Sequence, residues 1–225
     1  MAFEALPERL AQVRAEIARL APQPVTIVAV TKGFGTDAIH AARDAGLADI
    51  GENRVQEALQ KQDALGDAAA IRWHLIGHLQ RNKAKLVPGR FELVHSVDSL
   101  ELATELSKRA TTPLRVLLQV NVAREPQKNG CAPEDAPALA RQVAELEHVR
   151  LEGLMTLAPF TDDVDVQRRT FRGLRVLRDR IKEEVGVWLP TLSMGMSGDY
   201  VSAVREGATV IRLGTALFGR REATA

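Results

Sequence analysis

Val25-Thr26-Ile27-Val28-Ala29-Val30-Thr31-Lys32-Gly33 is a near-continuous run of apolar and β-branched residues that ends on a lysine. A short run of this kind, bounded by Pro24 and Gly33, is the pattern of a strand covered on both faces. Strands covered on both faces belong to parallel sheets flanked by helices. The fold therefore turns on whether the rest of the chain supplies matching strands with helices between them.

It does. Upstream, Phe3, Leu6, Leu10, Val13, Ile17 and Leu20 alternate spacings of three and four, which lines one face of a helix that Pro22 and Pro24 end. Downstream, strand candidates follow at Asp49–Gly51, Trp73–Ile76, Leu93–His95, Arg115–Asn121, Arg150–Met155, Thr191–Met194 and Thr209–Leu213. With Val25–Val30 they make eight. Helix candidates lie between them at Thr36–Ala45, Asn53–Gln62, Leu79–Leu86, Ser99–Arg109, Pro133–Leu146, Val164–Glu183 and Asp199–Glu206. Alternation of this kind implies parallel strands joined by right-handed crossovers. Eight units in 225 residues imply an α/β fold, a single closed (β/α)8 TIM-type barrel forming one domain over 1–225. An open doubly wound sheet is the competing fold, but it does not normally use eight such evenly spaced units. Too few residues follow the eighth strand for a full helix, and one helix is spare at the N-terminus. That helix is expected to pack near the seam between strands one and eight.

The composition narrows the function classes. With 30 Lys and Arg against 29 Asp and Glu, the net charge is +1 and the chain as a whole has no nucleic-acid footprint. The arginines at 168, 169, 172, 175, 178 and 180 interleave with apolar residues at helical spacing and read as a solvated helix face. One cysteine, Cys131, allows no internal disulfide. The N-terminal residues carry charges throughout, unlike a signal peptide, and no apolar run is long enough to span a bilayer. The expectation is a cytoplasmic protein without membrane or nucleic-acid partners. The five histidines form no metal-ligand pattern.

In a barrel of this type the C-terminal ends of the strands build the site, and phosphate is favoured by the loops after strands seven and eight. Lys32 ends strand one. Ser193-Met194-Gly195-Met196-Ser197-Gly198 spans the end of strand seven, and Arg212-Leu213-Gly214-Thr215 spans the end of strand eight. Barrel closure makes strands one and eight neighbours, so the amine and the two small-residue loops converge. Gly195, Gly198 and Gly214 let backbone N–H groups approach an anion, and Ser197 and Thr215 add hydroxyl donors. Ser197-Gly198-Asp199 also reads as the start of a helix, whose N-terminus favours a phosphate. An amine beside a phosphate cradle suits a phosphorylated aldehyde, and pyridoxal 5'-phosphate (PLP) is the common cofactor of that kind. Arg212 stands where it could reach a ring nitrogen.

The segments Val28–Lys32, Gly51–Glu57, His74–Lys83, Gly153–Thr156, Leu192–Asp199 and Ile211–Gly219, in this order along nearly the whole chain, resemble the YggS/PROSC family of PLP homeostasis proteins. That family is similar to the N-terminal domain of alanine racemase. The resemblance implies a PLP-binding barrel in which Lys32 holds the cofactor as a Schiff base. It implies that Ser197, Gly214 and Thr215 hold the phosphate, that Met196 and Gly198 shape that loop, that Arg212 faces the pyridine nitrogen, and that Asn53 lies near the ring substituents. His78 departs from the family's Ile-Gly-x-Leu-Gln motif, and Lys128 matches a loop lysine with a secondary part in PLP handling. Apo-forms of PLP-dependent enzymes are the implied acceptors, and a monomer is the implied state.

Each of these residues also has a plainer reading. Lys32 alone could be a solvated strand end, Asn53 a helix N-cap, His74 and His78 packing or capping residues, and Met194 and Met196 core. A PLP-dependent amino-acid racemase of the alanine racemase type is the alternative function. A two-base racemase needs a second proton-transfer group across the cofactor, which in alanine-racemase-like enzymes is a tyrosine from a β-rich second domain. Tyr200 is the single tyrosine, and it is expected on the first turn of a helix near the phosphate end. An arginine facing the ring nitrogen cannot accept a proton from it, which weakens the ring as an electron sink. The same arginine occurs in alanine racemase, so the expectation that 225 residues leave no room for such a second domain is the stronger argument. The chain is expected to be a non-catalytic PLP-binding protein in vitamin B6 homeostasis.

Overall fold

Eight strands pair in sequence order and in parallel, and the eighth returns to the first, where Thr26 lies across from Val210 and Ala29 from Leu213. The structure is a computed structural model and describes residues 3–66 and 71–220. The strands are β1 (Thr26–Val30), β2 (Asp49–Glu52), β3 (Arg72–Leu75), β4 (Leu93–Val97), β5 (Leu114–Gln119), β6 (Val149–Met155), β7 (Thr191–Ser193) and β8 (Val210–Leu213). The expected closed (β/α)8 barrel is present. The opening stretch is buried as its composition requires, with Val28 and Ala29 sealed from solvent.

The helices are α1 (Leu6–Leu20), α2 (Thr36–Asp44), α3 (Val55–Leu65), α4 (Leu100–Arg109), α5 (Ala136–Ala144), α6 (Val164–Val185), α7 (Tyr200–Arg205) and α8 (Thr215–Phe218). Local chemistry sets their ends. Ser99 Oγ accepts the Leu102 N–H at the start of α4, and Asp163 Oδ1 accepts the N–H groups of Asp165 and Val166 at the start of α6. Gly186, in the left-handed region, stops α6. The third crossover differs from the expected helix at Leu79–Leu86. It is a 3₁₀ segment over Arg81–Leu86, because Pro88 leaves no room for further helical turns before β4.

The spare N-terminal helix takes the expected place. The buried face of α1, Leu6, Leu10, Val13 and Ile17, packs against α7 and α8, which is one turn long. Phe3, Phe34 and Phe218 form a ring cluster across this seam, with centroids 5.4–5.8 Å apart. Such aromatic groups contribute about 0.5–1.5 kcal/mol per pair beyond the area they bury. The seam thereby holds the ends of β1 and β8, and with them the start of the site. Among the described residues no helix is long and apolar enough to cross a membrane.

Five of the six arginines of the α6 face are paired. Arg168, Arg172 and Arg175 converge on the buried carboxylate of Glu206 at 2.8, 3.1 and 3.3 Å. Arg178 bonds Asp179, and Arg180 bonds Glu184.

Candidate functional site

A cavity of about 630 Å³ opens at the C-terminal ends of the strands. All eight residues expected at the site line it: Lys32, Asn53, Met196, Ser197, Gly198, Arg212, Gly214 and Thr215. Most of its remaining wall comes from Ile76–His78, the loop carrying Gln127–Asn129, and the loop Leu157–Asp162 after β6.

Lys32 follows β1 and is exposed, and its ammonium bonds no described residue. The backbone on either side of it is fixed. Thr31 Oγ1 donates to Glu52 Oε1 at 2.6 Å. Lys61 Nζ donates to the Thr31 carbonyl at 2.9 Å, to Glu52 Oε1 at 2.6 Å and to Glu57 Oε1 at 2.8 Å. The Gly33 N–H donates to the same Glu57 oxygen at 2.7 Å. A mobile amine is thus mounted on a rigid support. Burial lifts the Glu52 carboxyl above the usual range, against the bonds from Lys61 and Thr31 that favour its charged form. Sequence reasoning missed this support. The signal was available: Glu52 ends a strand that must be covered on both faces, so it requires a partner.

At the ends of β7 and β8 the backbone N–H groups of Gly214 and Ala216 both donate to Ser197 Oγ, at 3.2 and 3.0 Å. Two N–H groups converging on one oxygen at the start of a helical turn form an anion-accepting pair. Gly198 has open space where a side chain would stand. Gly195 serves otherwise than expected. A Cβ there would lie 2.6 Å from Ala203 Cβ, so this glycine admits α7 rather than an anion. Asp199 Oδ1 accepts the Met196 N–H at 2.5 Å and ties the loop, and burial pushes the Asp199 carboxyl up.

Arg212 lies in the cavity floor and is buried. It donates to Ser193 Oγ at 2.6 Å and to the Thr156 carbonyl at 3.0 Å. Burial pulls its pKa down to about 10, opposed by the charge of Asp199, so it remains a cation at neutral pH. Asn53 follows β2 and does not cap α3, since the cap position falls to Arg54. A Cβ on Gly77 would stand 2.3 Å from the Asn53 carbonyl, so Gly77 is what lets the β3 loop close on Asn53.

His78 lines the cavity at its rim, with Nδ1 3.5 Å from Asp98 Oδ2. Lys128 also lines it and donates to the Ala158 carbonyl at 2.7 Å. Tyr200 does start a helix, but the cavity wall does not include it. His74 is a buried core residue, as its plainer reading held.

The family model of the alanine racemase N-terminal domain matches residues 5–222. A relative from Pseudomonas aeruginosa named pyridoxal phosphate homeostasis protein is 44% identical over 226 residues, covering 96% of each chain. One of the same name from Aquifex aeolicus is 43% identical over 199 residues, covering 87% of each. The solved structure of PipY from Synechococcus elongatus PCC7942 with PLP bound is 38% identical, with a TM-score of 0.86 over 95% of this chain and all of that one. Alanine racemase of Clostridium difficile 630 shares the fold at a TM-score of 0.76 and 16% identity, and this chain covers 58% of it. Matched in family model, sequence and shape over nearly its whole described length, the chain belongs to the alanine racemase N-terminal domain family and, within it, to the pyridoxal phosphate homeostasis proteins.

Proposed function

We propose that this chain binds pyridoxal phosphate through Lys32 and holds it reversibly for vitamin B6 homeostasis, without turnover of an amino acid. The observation that supports this most is the lining of one cavity by an unpaired amine, a convergent N–H pair and a buried guanidinium.

The residues fit the group. When bound, the cofactor supplies an aldehyde that condenses reversibly with a primary amine. Lys32 offers that amine at the end of β1. Ser197, Gly214 and Thr215 hold the phosphate, and Met196 and Gly198 shape the loop around it. Arg212 would face the ring nitrogen and, having donors only, would favour its unprotonated form. Asn53 borders the ring substituents. PLP is bound in the related PipY structure, and the curated relatives carry the homeostasis name.

Holding rather than turnover is favoured by what faces the amine. A racemase needs a second proton-transfer group across the ring. Tyr200 does not line the cavity, and His78 is engaged with Asp98 at the rim. The exposed Lys32 leaves the cofactor accessible for exchange. The reading takes 1–225 as one domain, acting as a cytoplasmic monomer, with apo-forms of PLP-dependent enzymes as acceptors.

The test is to incubate the PLP-loaded protein with an apo PLP-dependent enzyme beside an amino-acid racemisation assay. The reading expects the acceptor to gain activity as the loaded protein loses bound cofactor, with racemisation at background. Robust racemase, decarboxylase or transaminase turnover by the purified protein overturns it.

A further inference from the structure

A file of buried polar side chains runs through the barrel from its N-terminal mouth to Arg212. It starts at Asp49, the first residue of β2, which Arg72 binds with two bonds of 2.7 and 2.5 Å. His74 Nε2 lies 3.0 Å from Asp49 Oδ1, and His74 Nδ1 lies 2.9 Å from His95 Nε2. His95 Nδ1 lies 2.8 Å from Ser193 Oγ, which is 2.6 Å from Arg212 Nη1. His74, His95, Ser193 and Arg212 are each at most 4% exposed.

The proton positions follow from the two ends. The Asp49 carboxyl is held at about 2, so it accepts, and His74 Nε2–H donates to it. A guanidinium only donates, so Ser193 Oγ accepts from Arg212 and turns its own hydrogen to His95 Nδ1. Burial, with the charges of Arg212 and Arg115, holds His95 well below its ordinary pKa and therefore neutral. Its Nε2–H then donates to His74 Nδ1. Every donor in the file points toward Asp49. The other order, with a doubly protonated His74, would leave the buried Ser193 hydroxyl hydrogen without an acceptor among the described residues.

This direction matters because Arg212 is a buried cation that bonds no carboxylate among the described residues. Hydrogen bonds aligned in one sense polarise one another, so a hydroxyl that gives its hydrogen away becomes a better acceptor. The Asp49 charge, shared with Arg72, is thereby felt at the other end of the barrel.

We propose that Asp49, His74, His95 and Ser193 form a positioning relay that fixes the Arg212 guanidinium and tunes, from the far mouth of the barrel, the ring of the cofactor it contacts. The relay rests on the proposed PLP site for its effect on the cofactor, but not for its own existence.

The test has two arms. In the cofactor-free protein, nitrogen-15 NMR of the histidine rings is expected to show His74 and His95 both neutral and protonated at Nε2 at neutral pH. A doubly protonated ring, or an Nδ1–H form, overturns the relay whether or not PLP binds. In the loaded protein, PLP labelled with nitrogen-15 in its ring reports the contact to Arg212. Ser193→Ala is expected to shift the ring resonance and to weaken PLP binding about tenfold, since one charge-assisted bond is lost. Ser193→Thr, which keeps the hydroxyl, restores both. Asp49→Asn, remote from the cavity, shifts the ring resonance in the same sense by less. Ring resonances and affinities in folded Ser193→Ala and Asp49→Asn proteins identical to those of the unaltered chain overturn the proposal.

Discussion

Lys61 Nζ lies 2.6 Å from Glu52 Oε1, and both side chains are nearly sealed from solvent. The pair braces the Thr31 carbonyl immediately before the proposed tether. Removing one member of a buried pair costs about 3–5 kcal/mol, because the other charge is left stranded. Lys61→Met is therefore expected to lose about 3 kcal/mol or more of unfolding free energy near neutral pH. The sign of its pH dependence follows from Glu52. Without Lys61 the Glu52 carboxyl, already raised by burial, rises further above its unfolded value. The penalty is then present above that pKa and fades as pH falls and the carboxyl takes a proton. Urea unfolding of the variant across pH checks this. A loss that stayed constant with pH would rule out the stranded charge.

Asp49 gives the opposite slope. Burial by itself would raise its carboxyl, but hydrogen bonds from His74 and Arg72 overcome this and hold it at about 2. An unfolded aspartate titrates at about 3.9. The stabilisation, on the order of 2 kcal/mol, is full above the unfolded value and is lost as pH falls through the folded one. Asp49→Asn should be less stable at neutral pH by about that amount and should show a flatter acid limb between about pH 4 and pH 2. Acid limbs of equal slope in the two proteins would refute the assignment.

Two glycines of one loop should respond in opposite ways. Gly195 has φ +95°, and an added Cβ would stand 2.6 Å from Ala203 Cβ, so Gly195→Ala is both strained and crowded. A cost of about 1–3 kcal/mol is expected. Gly198 has open space, so Gly198→Ala should leave the melting temperature nearly unchanged while narrowing the cavity and weakening PLP binding. Calorimetry beside a PLP titration separates the two. Equal effects on both readouts from both variants would refute the division of roles.

Glu206 holds the arginine face of α6 together. Burial opposes its ionisation, and the bonds from Arg172 and Arg168 prevail and lower its pKa. Glu206→Gln should destabilise the protein by about 1–3 kcal/mol and release three arginines. Retention on a heparin column should rise accordingly. Unchanged retention would mean that the arginines are neutralised by other means.

The sequence carried the barrel because the strand at Val25–Val30 and the helices between later strands follow covering rules that hold residue by residue. Lys32, Ser197, Gly198, Arg212, Gly214 and Thr215 were legible because closure must bring the ends of β1, β7 and β8 together, whereas Asn53 and Met196 came from the family resemblance. What escaped was the polar interior. His74 and His95 lie in short strands, and their contact depends on stagger across the barrel, which local pattern does not encode. Glu52 and Lys61 lie nine residues apart on a strand and a helix, and only their packing reveals a pair. The 3₁₀ segment at Arg81–Leu86 was read as a longer helix because its spacing is helical, whereas Pro88 limits its length.

The tether itself is tested most directly by reducing the PLP-loaded protein with borohydride and mapping the pyridoxyl group by peptide mass spectrometry. The account predicts one pyridoxyl group per chain, on the peptide containing Lys32, and its loss in Lys32→Ala. Full labelling of folded Lys32→Ala protein, or a map that assigns the group in the unaltered chain to Lys61 or Lys128 instead, would contradict it.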